Sequence, residues 1–155
     1  ENHSIQISPG KHSELIRDII EQMAPRFLPE SLLVYVGDTG EKWGYYDQEL
    51  AGNLLFNIQQ HGKMPDVILY AKGKALLVLI ESVTSHGPVD SKRYIELEAL
   101  FSSVMIDKVY ISAFPDKKVF AHYIGDIAWE TEVWIADNPT HMIHFNGDKF
   151  IGAHK

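Results

Sequence analysis

Two acids frame one apolar stretch of the chain, PDVILYAKGKALLVLIESV at residues 65–83, with Asp66 at its start and Glu81 near its end. Carboxylates can hold a divalent cation where a fold brings them together, and they repel where nothing lies between them. A Gly73-Lys74 pair midway suits a type II′ β-hairpin turn. That centre places Asp66 directly opposite Glu81, and a four-residue loop with the same centre gives the same pairing. Alternation then puts Asp66, Ile68 and Tyr70 on one face with Leu77, Leu79 and Glu81. Opposed positions hold their Cβ atoms about 4.5–5.5 Å apart. Two carboxylates that close call for a shared proton or a bridging cation, and oxygen ligands favour Mg2+ or Mn2+. The same letters also fit a Pro-Asp turn and a solvated glutamate at a strand end. A slip of one residue would send the acids to opposite faces.

The elements that must position this pair follow from hydrophobic spacing. Leu15, Ile16, Ile19, Ile20 and Met23 make a helical stripe between Ser8 and Phe27. SLLVYVGD (31–38) reads as a strand ending in a turn at Asp38-Thr39, and a short helix is expected near 48–58. Residues 66–71 and 75–83 form the hairpin. A helix over 91–104 carries Tyr94, Leu97, Phe101 and Val104, and 108–114 is a strand. Pro115 opens a further helix with Asp116 in its first turn, followed by two late strands in TEVWIAD and MIHFNGDKF. The order α-β-β-β-α-β-α-β-β predicts an α/β domain, a mixed sheet flanked by helices. Trp129 and Trp134 in the late strands are expected in the core. His141 and His144 have zinc-like spacing, but on a strand they point to opposite faces, so no zinc site is expected.

The 155 residues suit one domain, 1–155, with a sizeable core. No apolar run approaches the length of a membrane span, and no signal-peptide pattern is present. The absence of cysteine excludes disulfide and thiol chemistry and fits a cytoplasmic setting. A net charge of -7 argues against a basic nucleic-acid module, although acids that hold metal ions can still act on DNA. A chain opening on Glu1 is expected to be a processed or excised piece.

A proline-aspartate opening one strand and a glutamate late in the next resemble the PD-(D/E)xK nuclease core. The stretches LVYVGDTGEKWGYYD, KMPDVILY, LIESVTSHGPVDSKR, VYISAFPDKK and DIAWETEVWIADNPTHMIHFNGDKFIG are similar to the catalytic C-terminal domain of the BsuBI/PstI type II restriction endonucleases. The resemblance runs from about Ser8 to Gly152, and ESVTSHGPV and AWETEVWIA are its most distinctive strings. It implies Mg2+-dependent cleavage of double-stranded DNA at a short palindrome, with Mn2+ as a substitute ion. It also implies a prokaryotic cytoplasmic protein and a homodimer, since a palindrome needs two sites. Full-length relatives carry a further N-terminal helical DNA-binding domain.

The resemblance also assigns roles by residue. Asp66 and Glu81 match the metal-binding acids, with the backbone carbonyl of Ser82 as third ligand. Val83 stands where the motif has lysine, the group that orients or deprotonates the attacking water. Lys92 is the first candidate to replace it, His86 the second, and the metal ion alone the third; a solvated Lys92 is the plain alternative. Ser85, His86, Lys92 and Arg93 are candidate phosphate contacts, and Glu14 on the first helix a candidate additional acid. Because the two acids repel, removing either is expected to leave folding nearly intact. The rival function is a catalytically inactive nuclease fold kept for DNA or protein binding, which Val83 and the acidic charge favour.

Overall fold

In a computed structural model, residues 10–37, 43–57, 63–84 and 86–153 are described. Helix α1 (Lys11–Asp18) runs through a π-helical turn (Ile19–Met23) into α2 (Ala24–Phe27). Then come β1 (Leu32–Gly37), β2 (Trp43–Tyr46), α3 (Gln48–Asn53), β3 (Val67–Ala71), β4 (Leu76–Ser82), α4 (Ser91–Leu100), β5 (Asp107–Phe114), α5 (Lys117–Tyr123), β6 (Thr131–Ile135) and β7 (Met142–Phe145). The strands form one sheet in the order β2-β1-β3-β4-β5-β6-β7. β4, β5 and β6 are parallel, and the other pairs are antiparallel. Parallel neighbours need a crossover, and α4 and α5 supply the two.

Alternation on β3 and β4 feeds a layer on each side of the sheet. Val67, Leu69, Val78 and Ile80 pack with Leu15, Ile16, Ile19 and Met23 of the N-terminal helix, over Trp134. Ile68, Leu77 and Leu79 pack with Leu97 and Phe101 of α4 and Ala51 of α3. A third cluster gathers Val83, Phe114, Val133 and Ile135 beneath Phe120 and Tyr123 of α5. Both faces of β3 and β4 are therefore apolar, so hydrophobic pattern alone does not pin their register. The turn does. Val67 faces Ile80 and Tyr70 faces Leu77, the register expected from the hairpin's centre. The turn itself is longer than a Gly73-Lys74 pair: Lys72–Lys74 form a 3-10 turn closed by Ala75 in the left-handed region, at φ 51°.

Several elements differ from the sequence reading. β2 was not anticipated, and the short helix stops at Asn53, with Asp47 capping its first turn. α4 ends at Leu100, although Phe101 and Val104 still pack into the core. Asp116 lies one residue outside α5 as its cap, its carboxylate accepting the Val119 N–H. Trp134 is fully buried as expected, whereas Trp129 is 71% exposed, because it precedes β6 and lies outside the pleat. Ser8, Asp38, Thr39 and Ser85 lie outside the described residues.

Candidate active site

Asp66 sits at the mouth of the hairpin, immediately before β3. Its backbone carbonyl accepts the Gly37 N–H at 2.8 Å, which ties the strand end to β1. Its Oδ2 accepts the Ser82 N–H at 2.7 Å, and its Oδ1 lies 3.3 Å from His12 Nε2. His12 belongs to α1, and its carbonyl in turn accepts the Ser82 hydroxyl at 3.4 Å. The β3–β4 register continues Asp66 into a position facing Glu81.

Glu81 is only 6% exposed. The Arg93 Nε–H donates to its Oε1 at 2.8 Å, and Arg93 Nη2 lies 2.7 Å from the same oxygen. Arg93 Nη1 donates to Glu96 at 3.3 Å. Asp90 sets this geometry: its carboxylate caps α4 by accepting the Arg93 N–H at 2.7 Å, which fixes the first turn that carries the guanidinium. Burial first, and then the negative charge of Asp66, push the Glu81 carboxyl up to about 7, against the pull of Arg93 and Lys63. The neighbouring cations thus offset only part of what burial and Asp66 cost its charge.

A shallow groove of about 190 Å³ opens over this acid, with Lys63, Lys92 and Arg93 set against Glu81, Asp90 and Glu96. Lys92 is exposed on the groove wall, one residue before the side chain that grips Glu81. His86 is exposed in the loop leading to α4, Ser82 is buried, and Glu14 is exposed on α1. From that helix it is His12 that reaches Asp66. Val83 is fully buried, its N–H bonded to the Ala113 carbonyl at 2.8 Å and its side chain sealed beneath α5. Sequence reasoning missed His12 and Lys63, and it did not foresee that Arg93 would meet Glu81. Only α1 docking and the phase of α4 reveal these partners.

An oxygen-only pair of opposed carboxylates, one destabilised by the other's charge, has the donor chemistry that hard divalent cations require. Arg93 engages one oxygen of Glu81, so its grip does not use up the carboxylate. Among the described residues no group of three acidic or histidine side chains converges, so an ion here would complete its shell with backbone, water or substrate oxygens.

The sequence matches the BsuBI/PstI restriction endonuclease domain over residues 1–148. The chain belongs to that family. It is 55% identical to the type II restriction enzyme BsuBI of Bacillus subtilis, over 100% of this chain and 49% of that protein. It is 30% identical to the type II restriction enzyme AplI of Arthrospira platensis, over 97% of this chain and 48% of the relative. The solved structure of SdaI restriction endonuclease superposes with a TM-score of 0.85 at 34% identity, over 96% of this chain and 47% of that one. The fold is therefore the α/β fold of PD-(D/E)xK restriction endonucleases, and the chain spans about half the length of the relatives it matches. No helix of the described residues is long and apolar enough to cross a membrane.

Proposed function

We propose that this chain is the catalytic part of a type II restriction endonuclease that hydrolyses double-stranded DNA at a short palindrome. The observation that carries this reading is Asp66 facing Glu81 at the mouth of a hairpin, in a family whose named members are restriction enzymes. Asp66, Glu81 and the Ser82 carbonyl would hold Mg2+, with Mn2+ as a substitute. Bound there, the ion would lower the pKa of a water and neutralise charge on the phosphate. The chain's own residues do the rest. Asp66 is oriented by the Ser82 N–H and His12, so its carboxylate is set before substrate arrives. Lys92, exposed on the groove wall, is long and flexible enough to carry the charge-stabilising role of the missing motif lysine. His86, exposed in the loop leading to α4, would meet a passing scissile phosphate, and Lys63 adds positive charge to the groove. A palindromic target needs two such sites, so the working form is a homodimer.

A plasmid carrying many sequence contexts, incubated with the chain with and without Mg2+, tests the reading. Metal-dependent linearisation at defined positions is the expected result. DNA binding without cleavage under every divalent cation would instead support the inactive-fold reading, which Val83 at the lysine position favours.

A further inference from the structure

Given the metal site proposed above, we infer that Arg93 is the resident counter-cation of the acidic pair, which a divalent ion must dislodge toward Glu96. Four observations converge on it. Nε and Nη2 both crowd a single oxygen, Oε1, where an arginine seated for good would spread its fork across both carboxylate oxygens. Nη2 is buried beside that oxygen without aiming a hydrogen at it, and no other acceptor among the described residues takes its protons. Glu96, 47% exposed and already 3.3 Å from Nη1, is a second seat that the guanidinium can reach by pivoting within the first turn of α4. Finally, two carboxylates face each other at the mouth of an apolar hairpin, and Arg93 is the cation in direct contact with the more buried of them.

Two cations cannot share this field without repelling one another. An arriving Mg2+ or Mn2+ takes over the neutralisation of Glu81, and the guanidinium moves outward. That delivers a third positive group to the groove wall beside Lys63 and Lys92, where a phosphate oxygen would lie. Arg93 is thus a positioning residue acting through Glu81, and it sets metal affinity lower than the acids alone would give.

Calorimetric titration of the 155-residue chain with Mn2+, at about pH 8, tests this. Arg93→Met, which keeps the apolar stem, should tighten Mn2+ binding about fivefold or more, while Arg93→Lys stays near the wild type. Lys72→Met, which removes a charge at the far end of the hairpin, should change affinity less than about twofold. Weaker or unchanged Mn2+ binding in Arg93→Met would overturn the assignment, since a merely structural ion pair predicts that result. A wild-type chain that takes up no Mn2+ removes the metal site itself, a different failure recognised by the silence of every variant. Should Arg93→Met not fold, the wild type decides alone. Its Arg93 Nε–H, hydrogen-bonded to Glu81 in the metal-free chain, should exchange faster on Mg2+ saturation, and an unaltered rate counts against displacement.

Discussion

Glu81 and Val83 stand two residues apart on the same face of one strand end, both almost wholly buried, and their surroundings are opposite. Glu81 lies under the first turn of α4 and meets Arg93, with Asp66 across the hairpin. Val83 lies under α5 and meets Phe114, Val133 and Ile135. The strand treats both positions alike; the covering helix decides which of them can carry charge. The position two residues after the glutamate has been taken into the core, where a charged side chain has no place.

The largest effect that would break this comparison belongs to the acids. Asp66→Ala and Glu81→Gln should each lower Mg2+-dependent cleavage by on the order of 10³-fold or more. Near-normal turnover in either, measured on a single-site duplex, would mean that the charged position is not the reacting one. Glu81→Ala is a worse probe than the sequence suggests. It removes the buried partner of Arg93 and leaves the guanidinium only Glu96, which destabilises by about 1–3 kcal/mol, so the expectation of unchanged folding holds better for Asp66.

Val83→Lys probes the other position. Restoring the motif's letter there drives an ammonium into an apolar cluster, and denaturant melts should show a loss of about 3–4 kcal/mol with no gain in activity. A stable, faster enzyme would show that α5 yields and that the two positions are not fixed in their roles. Lys92→Ala should reduce turnover by about 10²-fold with little change in DNA affinity, the scale of one lost transition-state contact. Normal cleavage by that variant would pass the role to His86 or to the ion.

The smallest effect is on pH dependence. Glu81 ionises near 4.5 when unfolded and at about 7 in the folded chain, so between those values the native state holds the extra proton. Its contribution to stability is full below the unfolded value and is lost as pH rises through the folded one. The melting temperature of the metal-free chain should therefore fall between about pH 4.5 and about 7 and level off above that, with Mg2+ restoring most at the alkaline end. Glu81→Gln should flatten that component while Asp66, Lys63 and Arg93 still face the site. An equally steep profile in this variant would assign the effect to other groups.

Much of this arrangement was legible in the sequence because the hairpin's centre fixes who faces whom. The Asp66–Glu81 opposition needed only the turn's midpoint, and it survived a change in the turn's length. β2 escaped because four residues containing Gly44 show no alternation to read. Lys92 and Arg93 could not be told apart, since adjacent helical residues diverge by about 100° and the phase of α4 depends on how Leu97 seats in the core. His12 gave no local signal at all. Its approach to Asp66 is set by where a whole helix docks, and spacing along one chain segment does not encode that.

The π-helical turn at Ile19–Met23 governs that docking. Such a turn holds one residue more than an ordinary helical turn would, and so acts as a phase correction within an otherwise continuous rod. Met23, Ala24 and Leu28 beyond it are anchored in the core. Losing one residue from the turn would regularise the helix and rotate everything before it by about 100° relative to that anchor. Leu15 and Ile16 would be wrenched off the sheet, and His12 would swing away from Asp66. The histidine's aim is in this sense wound into the helix about two turns away, and the surplus residue is what keeps the winding in register.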